Sequence, residues 1–271
     1  MGSARFSSRV RLRSMTAAGP QAAVAARVPG AAALGLLPPA GSAPLPAAAL
    51  ADPGWAAEVL ARRAPAQRTT DRRVLATIWW YSVSSVLLTP PLAGLVTGIP
   101  LSARLEDLSV WVRPGLLPAA AVAAGPGSGE PAADLRASLC AVVAAVAEAG
   151  GMRERPLWAI ATDSLANRLL ALGQALGDVG RATALAVPLA SAVGPPLPLP
   201  RYEDVAGSRF VRRASCCLLD RTPGMPTCTS CPHRPPAERQ VLLQDAATRF
   251  SRPGDPAQGR NSIESPNSCQ R

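Results

Sequence analysis

Four cysteines crowd into sixteen consecutive positions late in this 271-residue chain. Cys216, Cys217, Cys228 and Cys231 lie in the run RRASCCLLDRTPGMPTCTSCPHR with the spacing C-C-x10-C-x2-C. No other feature restricts the fold as strongly, because clustered free thiols oxidise readily and need partners. Three outcomes satisfy them: two disulfides, a zinc site or an iron–sulfur cluster. Disulfides require an oxidising compartment. A secretory signal is not expected here, since the apolar run AAALGLL after Arg27 is short and Pro38, Pro39, Pro44 and Pro46 follow it. Zinc sites usually pair two short chelating loops. Cys228-x2-Cys231 is one such loop, but the adjacent Cys216-Cys217 is not, because neighbours in extended backbone point apart. A [2Fe–2S] rhomb takes two thiolates on each of two irons and tolerates cysteines spread along its length. Pro223, Gly224 and Pro226 help the intervening loop fold back.

The rest of the chain reads as mainly helical. Hydrophobic residues make up 48% and charged residues 17%, a globular balance, while aromatics at 4% leave Ala, Leu and Val to fill the core. Asp52-Pro53 is an N-cap with proline at the first helical position. Thr69 or Thr70 caps a longer helix, DRRVLATIWWYSVSSVLL, expected to stop at Pro90-Pro91. Leu108, Val110 and Val112 alternate with Ser109 and Trp111, a strand pattern, and Pro114-Gly115 turns the chain into LLPAAAVAA as its hairpin partner. Residues 124–131 form a loop, and Asp134 caps a helix that Gly150-Gly151 ends. Pro156 opens LWAIATDSLANRLLALGQALG, and Asp178 opens a further helix. The stretch from Gly194 to Pro200 reads as a stiff linker, with a last helix from about Pro236 to Ala247. The expected class is α+β: a mainly helical body with a small antiparallel element and a C-terminal cysteine-rich, cluster-binding segment. The expected division is a disordered or misassigned leader over 1–50, with Met15 an alternative start, a body over 51–200, the cysteine segment over 201–250 and a disordered tail over 251–271.

A net charge of +10 invites a nucleic-acid reading. The charge sits at the ends, however. Residues 1–50 carry 5 Arg and no acid, residues 201–271 carry 11 Arg against 7 acids, and the middle is nearly neutral with 12 against 11. No basic face interleaved with aromatics is present to grip phosphates, so nucleic acid is not an expected partner. No uninterrupted apolar stretch has the length of a transmembrane helix.

The cysteine segment resembles the C-terminal signature of FhuF-like ferric-siderophore reductases. The shared features are basic residues before a CC pair, hydrophobic residues after it, ten residues to the next cysteine, then C-x2-C-P. The stretches VLATIWWYSVSSVLL and LWAIATDSLANRLL are also similar to the helical body of actinobacterial members. The resemblance implies that Cys216, Cys217, Cys228 and Cys231 ligate a [2Fe–2S] cluster. It further implies a cytoplasmic reductase whose partners are a ferric siderophore and an external electron donor. One electron suffices, because ferric iron is held tightly by oxygen donors and ferrous iron far less so. An iron–sulfur electron carrier without siderophore turnover and a zinc-stapled structural module stay as alternatives.

Several neighbours of the motif carry weaker signals. Arg212 and Arg213 precede the first cysteine and can raise the potential, attract an anionic partner, or form a solvated face. His233, the only histidine, is expected as a solvated neighbour. Gly125-Pro126-Gly127-Ser128-Gly129-Glu130 would place a carboxylate where a dinucleotide loop needs its third glycine, so it is a loop. With no nucleotide-binding motif, the electrons must come from another protein or a soluble reductant. Asp163 and Asn167, four apart in an apolar helix, read as an exposed polar face rather than a pocket wall. Tyr81, Ser82 and Ser85 carry the same ambiguity. Cys140 is expected as a small buried hydrophobe and Cys269 as a loose tail thiol.

Overall fold

The computed structural model describes residues 19–250. Helix α1 spans Pro20–Arg27 and strand β1 spans Ala43–Pro46. Helices α2 (Pro53–Gln67) and α3 (Arg72–Thr97) follow. Strands β2 (Leu108–Arg113) and β3 (Leu117–Ala123) lead to helices α4 (Pro131–Gly150) and α5 (Arg155–Leu176). Short helices α6 (Val179–Ala184) and α7 (Ala186–Val193) precede strands β4 (Tyr202–Val205) and β5 (Ser208–Val211), and α8 (Pro236–Phe250) closes the described chain. The architecture is therefore α+β, as the apolar patterning predicts.

Local chemistry sets most helix ends. Asp52 Oδ1 accepts the Gly54 and Trp55 N–H groups at 2.8 and 3.2 Å, and Asp178 Oδ1 accepts that of Arg181 at 3.0 Å. Gly151, at φ 58°, closes α4 in the left-handed conformation that a glycine takes without steric cost. Thr69 and Thr70 are not the cap of α3. Asp71 is, accepting from Arg73 and Val74 N–H. Nor does α3 stop at Pro90-Pro91; it runs on to Thr97. Each proline removes a backbone donor, but Leu87, Leu88, Leu92 and Ala93 around them are buried, and that burial outweighs the missing bonds.

The leader expectation is corrected over the described residues. Residues 20–51 carry α1, β1 and a 3-10 turn, and Val24, Leu36 and Leu50 belong to the main core. Gln21 explains why this segment is held. Its side-chain amide donates to Leu36 O and Ala121 O at 2.8 Å each and accepts the Ala123 N–H at 2.6 Å, tying α1 to β3. Strand β1 then adds to the hairpin, giving an antiparallel β1-β2-β3 sheet with Leu45 opposite Val110 and Val110 opposite Ala121. Residues 1–18, with Met15, and the tail 251–271, with Cys269, lie outside the described residues.

Helices α3 and α5 form the centre of the body. Trp80 Nε1 donates to Leu157 O at 2.7 Å, and the Ser84 and Ser164 hydroxyls pair at 2.8 Å, so the two helices are held in register. The β4–β5 hairpin turns at Ala206-Gly207, both at positive φ (48° and 78°). It lies on α5 through Tyr202 Oη, which donates to Ala166 O at 3.0 Å, and through Val211, packed with Ala166 and Leu170. That placement delivers the chain after β5 to the middle of α5. Among the described residues no helix is long and apolar enough to cross a membrane.

Candidate metal centre

The body meets the cysteine segment through Asp163. This carboxylate is 1% exposed, not on a solvated face, which corrects the reading from helical spacing. Its Oδ1 accepts the Ala214 N–H at 2.7 Å. Its Oδ2 accepts the Ser215 N–H at 3.1 Å and the Ser215 hydroxyl at 2.7 Å, and stands 3.5 Å from Arg213 Nε. Burial pushes its pKa up, while the Ala214 N–H, the Arg213 guanidinium and Ser215 pull it back. Every partner is a donor, so the ionised carboxylate is the form this geometry satisfies. Asn167, by contrast, turns its amide back to Asp163 O within the same helix.

Arg213 passes the contact on to the thiols. Its side chain is 3% exposed, and the Tyr81 ring of α3 lies 4.9 Å from the guanidinium carbon. Nη1 reaches Cys228 Sγ at 3.4 Å and Cys217 Sγ at 3.8 Å. Burial alone would lower the Arg213 pKa, but Tyr81, Cys217, Asp163 and Cys228 around it hold it above its ordinary value. Nη2 is buried and has no hydrogen-bond partner among the described residues. Arg212, one residue earlier, points to solvent. The two arginines that look equivalent in sequence are thus opposite in role.

The four thiols fall into two pairs. Cys216 Sγ lies 3.9 Å from Cys231 Sγ, and the exposed His233 completes a group whose ligand atoms are all within 4.8 Å of one another. Cys217 and Cys228 both stand at Arg213 Nη1, and Cys228 together with Arg213 lowers the Cys217 pKa to about 5 against the opposing effect of burial. Cys217 in turn pushes the Cys228 thiol up. Burial raises Cys216 to about 11. The adjacent Cys216 and Cys217 thus have different neighbours, Cys231 for one and Arg213 Nη1 for the other.

Local backbone chemistry shapes both loops. Leu218 sits at φ 58°, a left-handed conformation that costs a branched side chain on the order of 1–2 kcal/mol. It turns the chain directly after the cysteine pair and aims its N–H at Cys216 Sγ, 3.4 Å away. Gly224 at φ 83° returns the loop. The second loop closes when Cys231 N–H donates to Cys228 O at 3.2 Å, and Arg234 Nε ties Cys228 O from outside at 2.9 Å.

Cys140 does not join this site and is exposed, against expectation. The core face of α4 is Leu135, Leu139, Val142, Val143 and Val146, and Cys140 falls on the opposite stripe with Arg136 and Ala144. Asp163 and Tyr81 are the functional residues that spacing alone misjudges. The one available signal was a carboxylate, flanked by Thr162 and Ser164, inside an otherwise apolar helix.

Two thiol pairs, a buried cation against one of them and an orphaned N–H nearby fit a cofactor with two metal centres and acceptor sulfurs. These are the features of an iron–sulfur protein. Residues 213–233, the segment holding all four clustered cysteines, match the FhuF 2Fe-2S C-terminal domain. That domain indicates a [2Fe–2S] cluster and an iron–sulfur protein related to siderophore iron. No curated protein matches the chain.

Proposed function

We propose that the protein is a ferric-siderophore reductase, in which Cys216, Cys217, Cys228 and Cys231 hold the [2Fe–2S] cluster within a segment spanning 201–250. The observation that supports this most directly is the division of the thiols into two groups, Cys216 beside Cys231 and Cys217 with Cys228 at Arg213 Nη1. Two thiolates for each of two irons is the demand of the rhomb. The bound cluster supplies one electron at a time, which is what release of iron from an oxygen-donor chelator needs. Cys216 and Cys228 are only half-buried, so the sulfur edges of the site reach the surface where a donor and a ferric siderophore can approach. The exposed Arg212 and Arg221 beside them favour anionic partners. A reducing compartment, the cytoplasm, suits a cysteine set kept free of disulfides, and the electrons come from a separate reductase or ferredoxin.

Anaerobic purification with iron and acid-labile sulfide analysis tests the cofactor. Two irons and two sulfides per chain, with a brown-red absorption spectrum, are expected. The chemically reduced protein is then mixed with ferric siderophore and a ferrous-specific chelator. Release of one ferrous ion per reduced cluster supports the reductase. A cluster that reduces and reoxidises without releasing ferrous iron would instead identify an electron carrier. The group of Cys216, Cys231 and His233 favours a second reading, a zinc site, which leaves Cys217 and Cys228 without a role. Colourless protein with stoichiometric zinc would establish it.

A further inference from the structure

We propose that Asp163 is a positioning residue for the cluster: acting through Arg213, it fixes a buried cation against the Cys217/Cys228 pair and so makes the two ends of the site electrically unequal. The inference rests on the four-cysteine reading above. At one end, Arg213 Nη1 lies 3.4 and 3.8 Å from the two sulfurs, in a side chain 3% exposed. At the other, no cation among the described residues is placed against the sulfurs: half-buried Cys216 stands 3.9 Å from the Asp220 carboxylate, and buried Cys231 shares its ligand group with the exposed His233.

A guanidinium on a flexible stem does not hold such a position unaided. Three constraints supply it here. Asp163 ion-pairs with Nε, the Tyr81 ring covers one face, and the Ala214 and Ser215 backbone groups that follow Arg213 are tied to the same carboxylate. Asp163 and Tyr81 belong to α5 and α3, which Trp80 and the Ser84–Ser164 pair lock together. The rigid body therefore dictates where the positive charge sits. The unpartnered Nη2 is the remaining donor, and an acceptor sulfur of the cofactor is the group that its buried position lacks.

A fixed cation and N–H donors beside thiolate sulfur stabilise added negative charge, so they raise the reduction potential. Burial keeps that effect from being screened by salt. Arg212, solvated one residue away, serves as the internal control.

Spectroelectrochemical titration of the anaerobic full-length protein, with iron and sulfide content and the reduced-state EPR spectrum, tests this in R213Q, R213K, R212Q and D163N. R213Q is expected to shift the reduced-to-oxidised ratio at least tenfold toward oxidised at fixed ambient potential, which is ~59 mV for a one-electron couple. R212Q stays within about twofold of wild type at ordinary salt, as a screened surface charge should. D163N keeps Arg213 but releases it, and is expected to change the EPR line shape and speed cluster loss to a chelator while the helical circular dichroism is unchanged. R213K keeps the charge but cannot hold Asp163 and both sulfurs together. It is expected to move the ratio at least threefold in the same direction, and it decides the matter if R213Q retains no cluster. Wild-type ratios in R213Q and R213K, or an R212Q shift as large as that of R213Q, overturn the inference and leave the cluster reading intact. Wild-type protein lacking iron and sulfide overturns both.

Discussion

In the α3/α5 centre, Trp79, Trp80, Leu157, Ile160 and Leu165 are each at most 1% exposed and pack into one continuous core. Between residues 213 and 235, the buried apolar side chains are Cys217 and Cys231 alone. The first region is held by apolar area removed from water, which is non-directional and spread over many contacts. The second is held by a few directional ties: Asp163 to Ala214 and Ser215, Arg213 to the sulfurs, Arg234 to the carbonyls of Thr227 and Cys228. The body is thus held by its own core, whereas the cysteine segment is held by its ties to the body.

Single Ser substitutions at Cys216, Cys217, Cys228 or Cys231 should break this comparison most visibly. Each is expected to abolish or distort the visible absorption of the cluster, while the far-ultraviolet circular dichroism of the body is retained. Cys140→Ser and Cys269→Ser should keep the wild-type spectrum. A wild-type spectrum from any one of the first four would end the ligand assignment.

Removing the bridge between the regions comes next. Asp163→Ala leaves Arg213 buried without its counter-ion and should cost about 3–5 kcal/mol, read as a lower denaturant midpoint. Cost confined to the cluster segment, with the body midpoint unmoved, would show that α5 does not share the strain. Gln21→Ala then tests whether the N-terminal segment belongs to the body. It strands Leu36 O, Ala121 O and Ala123 N–H. A loss of about 1–3 kcal/mol is expected, with the cluster spectrum unchanged in folded protein. Smallest of all, Arg212→Gln should alter stability by no more than about 0.5 kcal/mol. Its effect should be a slower encounter with an anionic siderophore at low ionic strength, vanishing as salt rises. Salt curves parallel to wild type would leave Arg212 no steering role.

What was legible in the sequence was local in origin. Asp52-Pro53, Asp178 and Gly150-Gly151 mark helix ends because a cap satisfies groups only two or three residues away. The alternation of Leu108 and Val110 and the Pro114-Gly115 turn announce the β2–β3 hairpin for the same reason. The cysteine spacing was legible because the metal chemistry of a thiol depends on its own donor atom.

Tertiary structure alone decided the rest, because the competing energies involve residues far apart in the chain. Pro90 and Pro91 stop an isolated helix, yet burial of Leu87, Leu88 and Leu92 carries α3 past them. The stretch from 19 to 50 looks too rich in proline and alanine to order itself, and it orders because Gln21 finds β3 a hundred residues on. Asp163 shows the principle most sharply. Helical spacing cannot tell a carboxylate facing water from one facing donors fifty positions later. Only the β4–β5 hairpin, laid on α5, brings Arg213 and the cysteines to that carboxylate, and burial then turns an ordinary acidic residue into the anchor of the site.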